Sequence, residues 1–389
     1  MGKERVAVVG IGQTEHRATR GDVSMVGLVR EAAGRALTDA QMTWTDVDAV
    51  VIGKAPDFFE GVMMPELFLA DALGCTGKPL FRVHTAGSVG GSTAIVASQL
   101  IEAGIHQRVL TVAFEKQSES EAMWALSLPI PFTPPLHAGA GGYFAPHIRS
   151  YIRRAKAPDH IGTLVALKDR RNGLDNPYAH LHEPEITFDS IQESMMLWDP
   201  IRYAETCPSS DGACALVLGS EAVADDAAAE GRPPAWIRGT AMRSEPTLSA
   251  ERDTVLPLGG ALCAADVYHQ AGIGDPRRDV DCVEMYVPFS WFEPMWLENL
   301  GFAEPGEGWK LTEDGVTAPE GDLPVNMSGG VLCTNPIGAS GMLRFAEVAM
   351  QVRGTAGDHQ LDGVRTAVGH AYGGGSQFFS MWVVGSEKP

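Results

Sequence analysis

One order of segments occurs twice along the 389 residues, and such a chain is expected to fold as two copies of one unit. In the first half a β-branched run ended by glycines, VAVVGIG (6–12), reads as a buried strand. Helical periodicity over 23–39 follows, then a second strand, TDVDAVVIG (45–53). Next come a small-residue turn opening a long helix (HTAGSVGGSTAIVASQLIEAG, 84–104), a strand RVLTVAFEK (108–116) and, later, DGACALVLGSE (211–221). The second half offers AWIRGTAM (235–242), RDVDCVEMY (278–286), TNPIGASGMLRFAEVAMQVRG (334–354), VRTAVGHAYGGG (364–375) and SQFFSMWVVGSE (376–387) in the same order. The expectation is an α/β chain with halves at 1–225 and 226–389, each built on a mostly parallel, buried sheet.

The halves are unequal. Residues 117–205 have no counterpart and carry PIPFTPPLHAGAGGYF and the basic stretches IRSYIRR and LKDRR. A long insertion in a compact repeat is usually functional, here a substrate-covering loop domain or a dimer contact.

Lys+Arg is 30 against Asp+Glu 49, a net charge of −19. Nucleic acid and anionic membranes, which need basic surfaces, are poor partners for such a chain. No apolar run is long enough to span a membrane, and the start MGKERVAVVGIGQTEH does not read as a secretory leader. Cys75, Cys207, Cys214, Cys263, Cys282 and Cys333 are scattered, which fits reduced thiols in a cytoplasmic protein and no zinc site.

The opening GIGQTE has Glu15 where a dinucleotide fingerprint needs its third glycine, so that reading is rejected. The turn at 85–93 precedes a helix whose free N–H groups suit a developing negative charge, or is a tight packing turn. Tyr286 ends a strand, where open α/β sheets carry ligands, or is an aromatic packing residue. Asn335 lies among glycines and offers an amide to a carbonyl or enolate oxygen, or forms an asparagine-proline turn. Tyr372 precedes three consecutive glycines, more than one hairpin needs, so a close approach of backbone to ligand is expected there. His180 and His182 lack further metal ligands at suitable spacing and read as a polar loop. His84 and His370 flank these loops, and a lone histidine is most often structural.

These loops, in this order on a duplicated unit, resemble the thiolase superfamily over nearly the whole chain, closest to its sterol-carrier and lipid-transfer branch. The resemblance implies two βαβαβαββ halves in a five-layered αβαβα arrangement, a loop domain (117–205) inserted in the first half, and a homodimer. It places Ser88 where the family has its nucleophilic Cys, Tyr286 and Asn335 where it has histidines, and Tyr372 at the usual acid/base position. Thiolysis and a covalent acyl-enzyme are therefore not expected, because the thiolate and its activating histidine are missing.

Stretches such as KDRRNG, NPYAHLHEPEIT, MLWDPIRYAETCPSSDGACALVL and HAYGGGSQFF resemble the steroid side-chain-cleaving aldolases. That subfamily implies retro-aldol cleavage of a 17-hydroxy steroid bearing a three-carbon carboxyl-CoA side chain, giving a 17-ketosteroid and propionyl-CoA. It also implies an OB-fold (DUF35-type) partner in an α2β2 assembly. No cofactor is needed, because the substrate thioester is the electron sink. The expected proton-transfer pair is Tyr286 and Tyr372; Asn335 and the Gly373 and Gly374 N–H groups form the oxyanion hole, with Ser88 and His370 supporting. CoA phosphates would meet Arg149, Arg153, Arg154, Lys168, Arg170 and Arg171, and the steroid would meet segments 123–132, 195–198 and 289–296. Two rival expectations are a Ser88-dependent acyltransferase and a non-catalytic lipid-CoA scaffold.

Overall fold

The computed structural model describes residues 4–55, 59–120, 139–247 and 249–389. Strand β1 (Val6–Gln13) is buried along its whole length, as its unbroken apolar run requires. Helix α1 (Met25–Asp39) starts where the Ser24 hydroxyl accepts the Gly27 N–H, and turns Leu28, Val29, Ala32, Ala33 and Ala36 inward at helical spacing. Then follow β2 (Ala49–Lys54), β3 (Leu80–Val83), α2 (Val89–Glu102) and β4 (Arg108–Lys116). The insertion contributes α3 (Gly139–Ala155), α4 (Ile161–Asn172) and a small hairpin, β5 (Met196–Trp198) with β6 (Ile201–Arg202). The remaining principal elements are β7 (Asp211–Ser220), β8 (Ala235–Ser244), α5 (Leu258–Ala271), β9 (Cys282–Glu284), α6 (Phe292–Asn299), α7 (Ile337–Arg353), β10 (Thr366–Gly373) and β11 (Phe378–Gly385).

Nine strands hydrogen-bond in the order β3-β2-β4-β7-β1-β8-β11-β10-β9. Matching strands take matching places on either side of the β1–β8 pairing. Residues 324–326 stand beside Val283 in the place that β3 holds beside β2. The expectation of a mostly parallel sheet is corrected: β2 is parallel to β3 and β4, and β9 to β10, but β7, β1, β8 and β11 join their neighbours antiparallel. A short turn leads from β10 into β11, and so short a link forces antiparallel pairing.

Helix α1 covers β1, β7 and β4, and α5 covers β8 and β11, while α2 and α7 pack together between the two halves. The result is the five-layered αβαβα arrangement of the thiolase fold. The middle layer explains the small-residue turns. A Cβ on Gly90 would lie 2.5 Å from Met342 N, and one on Gly341 would lie 2.8 Å from Gly91 N. Only glycine lets these two helix starts touch backbone to backbone.

The insertion packs on the second half. Ile148, Tyr151, Ile161 and Val165 share one core with Met285, Phe292 and Leu297. It therefore sits over the ends of β9 and β10. Segment 123–132, expected to face the steroid, lies outside the described residues. No helix of the described residues is long and apolar enough to cross a membrane.

Candidate active site

β9 and β10 run parallel with Glu284 opposite Gly369, so both reach the same edge of the sheet as they deliver Tyr286 and Tyr372. The two rings meet edge to face, 5.3 Å between centroids and 88° between planes. Together with Asn335, Cys207, Tyr143 and Phe144 they line a largely apolar cavity of about 190 Å³. Tyr372 is boxed by Trp296 at 5.0 Å, Phe292 at 5.4 Å and Phe144 at 6.1 Å. The Trp296 indole N–H donates to the Tyr286 carbonyl at 3.0 Å, fixing the chain just beyond β9. Burial pushes both phenols far above their ordinary pKa; the nearby Cys207 adds to this for Tyr286, and Tyr286 adds to it for Tyr372. Both are therefore neutral donors near pH 7, and neither stands as a free phenolate base.

Asn335 sits just before α7. Its Oδ1 accepts the Ser340 hydroxyl at 2.8 Å and the Tyr286 hydroxyl at 3.2 Å, and its Nδ2 donates to Cys207 Sγ at 3.1 Å. An amide nitrogen carries two hydrogens, so a second one is left to donate. The main chain is held as firmly. Asn335 N donates to Ser210 Oγ at 3.1 Å, Asn335 O accepts from Gln117 Nε2 and from Ser210 N, and Ser210 Oγ bonds His180 Nδ1 at 2.8 Å.

The glycine loop closes the third side. A Cβ on Gly373 would lie 2.4 Å from both Gly87 N and Ser88 N, so the end of β10 abuts the start of α2 only as glycine. Gly374 and Gly375 follow in the left-handed region at φ 63° and 67°. Arg252 holds the far side of this loop, donating to Gly375 O at 2.7 Å and Ser376 O at 2.6 Å. Gly374 and Gly375 line the cavity, and their N–H groups make no hydrogen bond among the described residues.

The structure thus brings Tyr286, Tyr372, Asn335, Gly373 and Gly374 together, and leaves other expected residues out. The Ser88 hydroxyl donates back into its own turn, with Thr85 O at 2.8 Å and Thr85 Oγ1 at 2.9 Å, and the side chain is wholly buried. His370 is corrected to a packing residue. It shares a strand face with Tyr372 but lies deeper, edge to face with Trp296 at 5.5 Å and stacked on Phe379 at 6.3 Å, and neither ring nitrogen has a hydrogen bond among the described residues.

The basic cluster divides. Lys168, its side chain only 10% exposed, is ion-paired with Asp169 and Glu293, and Arg170 is buried against Glu183 and the Thr206 carbonyl, so both are already committed to protein partners. Arg149 pairs with Asp199 and Arg154 with Asp253, while Arg153 and Arg171 are exposed. Of the apolar segments, 289–296 surrounds Tyr372, whereas Met195 and Met196 point outward.

Sequence reasoning missed Cys207, Tyr143 and Phe144. Cys207 lies just past the insertion and ahead of β7, and the only hint was its nearness to the start of that buried strand. His180 and His182 hydrogen-bond Ser210 and the Asn176 carbonyl, and no metal-holding cluster of His, Cys, Asp or Glu occurs among the described residues.

Fold and site together define a protein of the thiolase-fold enzyme superfamily. The family described as Thiolase C-terminal domain-like matches residues 240–386. Acetyl-CoA acetyltransferase of Methanothermobacter thermautotrophicus is 30% identical over 384 residues, spanning 95% of this chain and 96% of the relative. Sterol carrier protein 2 of Rattus norvegicus is 27% identical over 407 residues, spanning 98% of this chain and 72% of the relative. A solved Ltp2-ChsH2(DUF35) aldolase superposes with a TM-score of 0.83 at 27% identity, covering 98% of each chain. The chain belongs to the thiolase family.

Proposed function

We propose that this protein is a carbon–carbon lyase that cleaves a β-hydroxyacyl-CoA by retro-aldol chemistry without a covalent acyl-enzyme. The observation that carries this reading is the composition of the cavity. Two neutral phenols and a side-chain amide converge on it, while Ser88, at the nucleophile's place, bonds back into its own turn. The similarity to an aldolase of the same fold supports it.

The chemistry closes without a phenolate. The β-hydroxyl loses its proton as the C–C bond breaks. The bonding pair moves into the thioester, giving an enolate held by the second Asn335 amide hydrogen and the Gly374 and Gly375 N–H groups. The α-carbon takes a proton in the same step: as one phenol oxygen takes up the β-hydroxyl proton it passes its own hydrogen along the pair to the developing enolate carbon, so the protons shift together and no phenol is left ionised or doubly protonated. This fits two phenols held protonated by burial.

A cavity of about 190 Å³ holds the reacting carbons and the thioester carbonyl, so a four-ring body must extend beyond it. The substrate proposed is a 17-hydroxy steroid with a three-carbon carboxyl-CoA side chain, released as a 17-ketosteroid and propionyl-CoA. Exposed Arg153 and Arg171 remain as phosphate partners. A homodimer joined by two DUF35-type OB-fold chains completes the proposal. The test is co-expression with such a partner and assay of propionyl-CoA release from hydroxyacyl-CoA thioesters. Substrate binding without release, in the presence of the partner, would refute it.

A further inference from the structure

We propose that Cys207 is a positioning residue of this site: its thiol decides which end of the Asn335 amide faces Tyr286, and so whether the Tyr286 proton goes to Asn335 or to the substrate. The inference rests on reading this cavity as the place of acyl cleavage.

The Asn335 amide is flat, and its two ends differ chiefly in hydrogens. As placed, Oδ1 takes the hydroxyls of Ser340 and Tyr286, while Nδ2 gives one hydrogen to Cys207 Sγ. A half-turn of the amide exchanges the ends. The Cys207 thiol, a weak donor as well as a weak acceptor, then gives its hydrogen to Oδ1. The two hydrogens on nitrogen go to the Tyr286 and Ser340 oxygens. Ser340 keeps a place for its own hydrogen on the Pro336 carbonyl, 3.1 Å away.

The arrangements differ at Tyr286 and at the amide nitrogen. In the first the Tyr286 hydrogen is committed to Asn335 and one amide hydrogen is left for the enolate; in the second the Tyr286 hydrogen is released toward the cavity and both amide hydrogens are taken. Only a residue at 207 that both gives and takes a hydrogen bond supports both. Burial raises the Cys207 thiol to about 11, so it keeps the hydrogen that the second arrangement needs.

The experiment compares Cys207→Ala, Cys207→Val and Cys207→Ser in the complex with its OB-fold partner. Removing one neutral hydrogen bond shifts an equilibrium by roughly 10-fold, so kcat should fall about 10-fold in Ala and Val with KM moved less than about 2-fold. Serine, which gives and takes hydrogen bonds, should restore kcat to within about 3-fold. A second readout needs no turnover. In protein labelled with [15N]asparagine, the Asn335 side-chain NH2 signals, assigned by their loss in Asn335→Asp, should shift in Cys207→Val and return toward their original place in Cys207→Ser. Full kcat in both Ala and Val, a Ser variant as slow as Val, or unmoved amide signals would overturn the proposal. If wild-type protein releases no product while the amide signals still respond in this pattern, the lyase reading falls and the positioning of Asn335 by Cys207 stands.

Discussion

The Tyr286 hydroxyl donates to Asn335 Oδ1 across 3.2 Å, tying the chain beyond β9 to the turn that starts α7. On the far side of the same amide stands Cys207, from the segment between the insertion and β7. Three segments distant in the chain thus meet at one side chain. The amide is held by hydroxyls at one end and a thiol at the other, which leaves it one hydrogen for a ligand. The hydrogen left free in this arrangement can meet charge as it develops beside the amide.

Tyr286→Phe and Tyr372→Phe should each lower kcat for propionyl-CoA release by about 100- to 10,000-fold, the range for a positioned proton-transfer group. Both rings are buried among aromatic neighbours that phenylalanine preserves, so the folded state should persist. Steady-state kinetics with circular dichroism checks this. Near-normal rates in both variants would end the assignment.

Asn335→Ala should cost about 100- to 1,000-fold in kcat, as loss of one oxyanion donor does. Asn335→Asp should be no better, because a carboxylate presents an acceptor where the enolate needs a donor. A rate for Asp near that of wild type would mean that Asn335 acts through Oδ1, and the oxyanion role would fail.

Much of this site is legible in the sequence, and the reasons are local. Tyr286 and Tyr372 stand near the ends of strands whose apolar runs are plain, and Asn335 stands before a helix whose small-residue start marks a close crossing. The direction of β7 is not legible, because an isolated apolar run has no orientation until its neighbours are known. His370 misleads because it neighbours Tyr372 in sequence, while strand alternation sets it one step deeper in the core. Cys207 is silent because its partner is 128 residues away. Lys168 and Arg170 read as a phosphate patch until burial shows each with its own carboxylate.

Ser88→Ala should leave kcat within a few-fold of wild type and cost roughly 1 kcal/mol of stability, the value of its hydrogen bond into the turn. Intact-protein mass spectrometry during turnover should show no added acyl mass. A trapped acyl group on Ser88, or loss of activity in the alanine variant, would restore the covalent route.

Stability should fall on the mildly acidic side through two buried histidines. His16 and His370 are wholly buried, and their ring nitrogens make no hydrogen bond among the described residues. Burial lowers each from 6.5 to about 3, with Arg344 adding to the effect at His16. Above pH 6.5 both are neutral whether folded or not, and their contribution is fully present. Between 6.5 and 3 the unfolded chain binds protons that the folded one refuses, so stability is lost as pH falls, by about 1.4 kcal/mol per pH unit for each histidine. His370→Phe keeps the packing against Trp296 and Phe379 and removes one of the two proton sites. Urea unfolding between about pH 5 and 6.5 should therefore show a shallower acid-side loss in the variant than in wild type, with the two curves parallel above about pH 7.5. The difference between the curves isolates His370, because every other titrating group is common to both proteins. Equal slopes would mean that His370 takes up its proton in the folded core, which would require a partner that the packed aromatic wall around it does not offer.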